Sequence, residues 1–225
     1  MANDLKLQSD DVACLIQHLS PGRPVMIFAS SGSGVMAAEV LQSHPGLVRK
    51  LILHEPLLLS LFSLRLRTHI HNQITERILA YGGSGNASIR RALMPTMQGK
   101  RDQRRFCQIP HPTRLLSQLR DQPAPFHGYE LPQILDYEVH VENLKPYQEK
   151  LVLTKGEDIS PEFTSAPQSN LSKALGIPVV VAPGGHTGHI TDAQQFSKKL
   201  IAVLGFHITR LGILCIAVIF VYDSQ

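Results

Sequence analysis

Residues 25–45 read VMIFASSGSGVMAAEVLQSHP, and they constrain the fold more than any other stretch of the chain. The apolar run Val25-Met26-Ile27-Phe28-Ala29 stops at Ser30-Ser31-Gly32-Ser33-Gly34. Val35 to Leu41 then continues as a helix-forming segment. The pattern is a buried strand, a sharp turn and a helix, with a serine at the corner. A nucleophile elbow is built in this way. Its serine sits in a strained backbone conformation, so the residues two before and two after it must be small. Ala29 and Ser33 stand at those positions, where the usual G-x-S-x-G has glycine. The same composition also serves a plain strand-to-helix connection or a phosphate-binding loop. Taken alone, the segment leaves all three readings of Ser31 open.

The second half of the chain weighs on that choice. Ile177-Pro178-Val179-Val180-Val181-Ala182 has the character of a short buried strand. It leads into Pro183-Gly184-Gly185-His186-Thr187-Gly188-His189, a glycine-rich loop with two histidines. Thr191, followed three residues later by Gln194, predicts a capping box at the start of the next helix. Between serine and histidine, Leu151 to Asp158 reads as a strand running into an acidic turn, Gly156-Glu157-Asp158. The order serine, acid, histidine follows.

These stretches carry a resemblance. ASSGSG, the helix ending in SHPGLVRKLILHEP, the segment ELPQILDY…LVLTKGED and APGGHTGH together resemble the α/β-hydrolase superfamily. The nearest likeness is to small serine hydrolases with a helical cap. The resemblance covers residues 9 to 205. It implies a partial α/β-hydrolase fold: a parallel sheet of about four strands with helices on both faces and a helical cap insertion. Residues 1–56 and 149–205 form the core, 57–148 the cap, and 206–225 an apolar tail. Helix-like stretches are expected near 64–81, 86–98, 112–120 and 140–148. It also implies a small-molecule carbonyl substrate, with relatives that sometimes tailor natural products.

Composition narrows the alternatives. Lys and Arg number 22 against 18 Asp and Glu, a formal charge of +4, too mild to predict a nucleic-acid partner. The densest basic cluster, Lys100-Arg101-Asp102-Gln103-Arg104-Arg105, lacks interleaved aromatics and reads as a solvated helix face or loop. Cys14, Cys107 and Cys215 are odd in number and widely spaced, which fits a reducing, cytoplasmic compartment. Asp4, Asp10 and Asp11 interrupt any signal-peptide core. The histidines lack the Cys pairs or H-E-x-x-H spacing of a zinc site, so no metal and no cofactor is expected, and most are read as surface residues.

The front and the tail are unusual for the superfamily. Only 24 residues precede Val25, enough for one amphipathic helix with Val12, Leu15, Ile16 and Leu19 on one face. The strands that normally precede the nucleophile strand are missing. The strand at 25–29 is then expected at an exposed edge, a surface open to homo-oligomerisation and aggregation. An oxyanion donor from an early loop is missing too, leaving the N–H of Gly32. Residues 211–222 are apolar or small but short of the roughly 20 residues a membrane helix needs. A membrane partner is therefore not expected, with a tail anchor as the lesser alternative, and the tail reads as an extra helix or strand packed on the core, or as sequence foreign to the domain.

The chemistry expected is acyl transfer to water. Ser31 attacks a carbonyl, His186 takes its proton, and an acid holds the imidazole tautomer. His186 is preferred to His189 because it lies closer to the strand end. Asp158, on the turn after its strand, is the first choice of acid. Its neighbour Glu157 could substitute for it. Glu55, directly after the strand at 48–54, is the rival, since some α/β-hydrolases carry their acid there; otherwise it is a carboxylate at a helix N-terminus. The alternative to a working hydrolase is a catalytically impaired protein of the same fold with a binding role or no independent role.

Overall fold

A computed structural model of the chain describes residues 5–80, 98–108, 131–159, 165–205 and 216–218. Strands β1 (Val25–Ser30), β2 (Val48–His54), β3 (Leu151–Asp158), β4 (Val179–Gly185) and β5 (Ile216–Val218) form one sheet in the order β4-β3-β2-β1-β5. Every pairing is parallel. All the strands therefore end at the same edge of the sheet, and a residue just past one strand end lies close to those past its neighbours.

Period-two alternation assigns the two faces. Ile27, Ala29, Leu51, Leu53, Leu151 and Leu153 enter the larger core cluster. Phe28 and Ile52 point to a smaller cluster with Ala182, Phe196 and Leu200. Parallel sheets are covered on both sides, and here the covers are unequal. On the first face lie α1 (Leu5–Leu19), α2 (Ser33–Ser43) and α7 (Ser165–Leu175), which contribute Val12, Ile16, Val40, Leu41 and Leu171. On the second, Phe196 and Leu200 belong to α9 (Ala193–Val203), which follows the short α8 (Gly188–Thr191).

The described part of the segment between β2 and β3 is helical: α3 (Leu64–Ala80), α4 (Lys100–Gln108), α5 (Leu131–Asp136), α6 (Val141–Leu144) and a 3-10 stretch at Lys145–Lys150. The helix expected near 64–81 is found and that at 140–148 is split in two. Those expected at 86–98 and 112–120 lie almost wholly outside the described residues. Helix α5 was not anticipated because Pro132 argues against it, yet a proline in the first helical turn removes no intrahelical bond. The chain returns to the core through Tyr137, whose hydroxyl donates to Glu39 Oε2 at 2.7 Å and accepts from Gln42 Nε2 at 3.1 Å, both on α2.

Two expectations are corrected. Strand β1 is not a bare edge: Met26, Ile27 and Phe28 pair with Ile216, Ala217 and Val218. The tail, read as an extra helix or strand, supplies the strand that covers this edge. The capping box at Thr191 is absent. Asp192 is the residue before α9, and the Thr191 hydroxyl donates to Asp102 instead. Among the described residues no helix is long and apolar enough to cross a membrane.

Candidate active site

Ser31 follows β1, Glu55 follows β2, and His186 follows β4. Parallel pairing brings all three to one edge of the sheet. Ser31 has φ 58° and Glu55 φ 45°, the two non-glycine residues with positive φ among those described. Such a conformation costs an L-residue about 1–3 kcal/mol and is tolerated where surrounding structure imposes it. At Ser31 the imposition is visible. Its N–H donates to the carbonyl of His54 at 3.1 Å, continuing the β1–β2 ladder by one residue. Its carbonyl accepts from Gly34 and Leu57, each at 3.0 Å.

Ser33 and Gly34 explain how a departure from G-x-S-x-G is accommodated. The Ser33 hydroxyl donates to the Ser30 carbonyl at 2.8 Å and accepts from the Ser30 N–H at 3.0 Å. The side chain at this position fastens the turn rather than crowding it. The close approach falls one residue later. A Cβ on Gly34 would sit 2.6 Å from Cβ of Pro56, so helix α2 can lie against the end of β2 only with glycine there. Gly32 occupies the head of α2, where backbone N–H groups have no intrahelical acceptor.

Glu55 is the carboxylate paired with His186. Nδ1–H of His186 donates to Glu55 Oε2 at 2.8 Å, and the N–H of Gly156 donates to Oε1 at 2.8 Å. Both side chains are almost wholly buried. The pair reaches from β2 to β4 across the intervening β3. Gly156 occupies β3 there, and a Cβ on it would lie 2.6 Å from Cα of Gly185, so β3 and β4 approach closely at this point. Burial alone would raise the Glu55 carboxyl, but the His186 hydrogen bond, the His54 and His186 imidazoles and the Gly156 N–H outweigh it, and its pKa lies below the usual glutamate value.

Asp158, the first choice of acid from sequence, is engaged elsewhere. Its Oδ2 accepts the backbone N–H of Asp102 at 2.7 Å, at the N-terminal turn of α4. Its backbone carbonyl accepts from Gly99 at 3.2 Å. Asp158 fastens the middle of the insertion to the sheet, and position after a strand could not distinguish that task from holding a histidine. Glu157 lies on the same strand, and its side chain is exposed.

Two further histidines lie close by in the fold. His54 is fully buried. Its Nε2–H donates to the Gly185 carbonyl at 3.2 Å, and its Nδ1 lies 3.1 Å from the Thr154 hydroxyl. Burial lowers its pKa. His189 packs among Phe28, His54 and Phe196, with ring centroids 5.4–6.0 Å apart, and burial pushes its pKa down to about 3. Most histidines were expected at the surface or in caps; His54 and His186 are instead buried, and His189 partly so. The sequence signal was there: His54 ends a strand whose last residues before it, Leu51-Ile52-Leu53, are all apolar. Among the described residues no group of His, Cys, Asp or Glu is arranged to hold a metal ion.

No protein-family model matches the chain. A curated relative, the uncharacterized hydrolase YraK of Bacillus subtilis strain 168, is 24% identical over 200 residues, covering 87% of this chain and 69% of its own length. Among solved structures, MGS-M2, an alpha/beta hydrolase enzyme from a Medee basin deep-sea metagenome library, superposes with a TM-score of 0.66 at 13% identity, over 95% of this chain and 76% of that one. A thermophilic esterase from Thermogutta terrifontis gives a TM-score of 0.62 at 14% identity, over 91% of this chain and 73% of that one. At these identities the structural likeness establishes the fold. The parallel sheet, with the left-handed serine after β1, is that of the α/β-hydrolase fold.

Proposed function

We propose that the protein is a serine hydrolase acting on a small ester, lactone or related carbonyl substrate, with Ser31 as nucleophile, His186 as general base and Glu55 as the acid that orients it. The observation that carries this reading is the buried His186–Glu55 hydrogen bond at the strand edge where Ser31 forms a left-handed corner. With Nδ1–H held by the carboxylate, the neutral imidazole carries its lone pair on Nε2, the atom a general base uses. Proton transfer from Ser31 Oγ to Nε2 would accompany attack on the carbonyl carbon. The N–H of Gly32 would stabilise the oxyanion, and the returned proton would release the alcohol. Water then repeats the cycle on the acyl-serine. Names of the relatives, an esterase and two hydrolases, agree with hydrolysis as the reaction class. The helical insertion at 57–148 would act as the cap that selects the substrate.

The test is reaction of the full chain with a fluorophosphonate probe and with p-nitrophenyl acetate, beside Ser31→Ala. Label on the peptide containing Ser31, and turnover lost in the variant, is the expected result. Labelling without turnover would favour the catalytically impaired reading. Neither labelling nor Ser31-dependent turnover would remove the nucleophile assignment.

A further inference from the structure

Helix α4 of the insertion carries a buried carboxylate that the proposed chemistry does not use. Asp102 is 1% exposed although it stands among Lys100, Arg101, Arg104 and Arg105. Its Oδ2 accepts the backbone N–H of Thr187 and the Thr187 hydroxyl, each at 2.8 Å. Its Oδ1 accepts the Thr191 hydroxyl at 2.6 Å. Thr187 is the residue directly after His186. Its hydroxyl also accepts from Gln98 Nε2 at 2.7 Å, so a second side chain from the same part of the insertion holds the same residue. Outside this contact, Arg101 and Arg105 pair with Asp192 beyond α8. Asp102 is itself held by Asp158 through its backbone N–H.

We infer that Asp102 is a positioning residue for His186: it fixes the 186–191 loop to the insertion, so that the imidazole is aimed only when α4 is docked. The inference rests on the proposed role of His186. It deepens that role by making the insertion a part of the base's support rather than a cover alone. The arrangement needs acceptors more than charge. An asparagine at 102 can place its oxygen where Oδ2 accepts from Thr187. Its amide can then donate to the Thr191 hydroxyl, which still has the Thr187 carbonyl, 3.2 Å away, as an outlet for its own proton. Alanine satisfies none of these groups and leaves the buried Thr187 N–H without this acceptor.

The experiment compares Asp102→Ala, Asp102→Asn and Thr191→Val in the full chain. Steady-state ester hydrolysis is measured beside the proton spectrum of the Nδ1–H held by Glu55, a downfield resonance assigned by its loss in Glu55→Gln. Asp102→Ala is expected to lower kcat by about 10–100-fold with KM within about threefold, because a small misplacement of a catalytic group is costly. It should also broaden or remove the resonance. Asp102→Asn should restore both, and Thr191→Val should fall between. Unchanged kcat and an unchanged resonance in Asp102→Ala would overturn the inference. So would equal losses in the alanine and asparagine variants. If Asp102→Ala does not fold, the asparagine and Thr191→Val variants decide by the same criteria. If the wild type shows no Ser31-dependent turnover, the functional reading fails, while the resonance still reports whether Asp102 holds His186.

Discussion

Ser31 and Glu55 occupy matching left-handed positions one residue past the ends of adjacent strands, with φ 58° and 45°. The register that pairs Ser30 with His54 sets them side by side. Neither is glycine or asparagine, the residues that enter this region at little cost. A backbone that bears this cost twice, on neighbouring strands, turns the chain sharply at both and brings both residues to the C-terminal edge of the sheet. Glu55 then spans β3 to reach His186 on the strand beyond.

Glutamine at position 55 should be far more damaging than asparagine at 158. Glu55 accepts from two donors, Gly156 N–H and His186 Nδ1–H, with one oxygen each. A glutamine has one oxygen, so it must leave one donor facing its amide or force the imidazole into the other tautomer. A loss of about 10³–10⁴ in kcat is expected, comparable with amide replacement of a triad acid. Asp158→Asn keeps an oxygen for Asp102 N–H and should lose no more than about tenfold, since hydrogen bonds of this kind contribute about 1 kcal/mol. Steady-state kinetics on the two variants checks the assignment, and the reverse ranking would reinstate Asp158.

Much of this arrangement was legible in the sequence. Helix 33–43 and strand 48–54 follow from Ser30–Gly34 and the Val48–His54 run, because a turn of serine and glycine between two apolar segments leaves few other solutions. Ser31 and His186 were singled out by place, and both lie just past strand ends. The carboxylate that meets His186, Glu55, was ranked second to Asp158, because place alone favoured neither decisively. The feature that separates them, the reach of Glu55 to His186 across β3, is a tertiary contact that local patterning does not encode. Asp102 was missed for a related reason. A lone acid among basic residues reads as solvated, and only tertiary packing shows that α4 turns it toward Thr187. The tail reads as an extra helix or strand on the core, but its pairing with β1 is not legible, because twelve apolar or small residues have no period that specifies a partner.

Gly156→Ala should disrupt the site without any change in its polar groups. The added Cβ would lie 2.6 Å from Cα of Gly185 and 2.8 Å from the Gly184 carbonyl, both backbone atoms that cannot rotate away. Strand β4 must shift, and His186 with it. Overpacking of this kind costs about 1–3 kcal/mol. The expected outcome is a lower urea midpoint together with loss of the His186 Nδ1–H resonance. A stable variant with an unchanged resonance would contradict the close approach of β3 and β4.

Removing residues 206–225 should promote self-association. Backbone pairing with Ile216–Val218 covers the β1 edge at Met26, Ile27 and Phe28. Without it, donors and acceptors of a buried-type strand face solvent, a template for pairing with another chain. Size-exclusion chromatography with light scattering, run over a concentration series, should show larger species for the shortened chain than for the full one. Identical mass distributions would show that β5 does not protect this edge.

Stability should fall as the pH drops below neutrality. His189 ordinarily titrates near 6.5 and in the folded protein only near 3. Between those values the unfolded chain binds a proton that the folded chain refuses. Stability is then fully present above about pH 6.5 and is lost toward pH 3, at up to about 1.4 kcal/mol per pH unit for one histidine. Buried His54, also lowered, acts in the same direction. Glu55, held below its ordinary value, adds a loss of the same sign as the pH falls below 4.5 and through its folded pKa. Urea unfolding at pH 7, 6 and 5 should show a steady decline. His189→Phe, which keeps an aromatic ring against Phe28 and Phe196, should reduce the slope by about one proton's worth. A flat profile for the wild type, or an undiminished slope in the variant, would mean that His189 is not held neutral by burial.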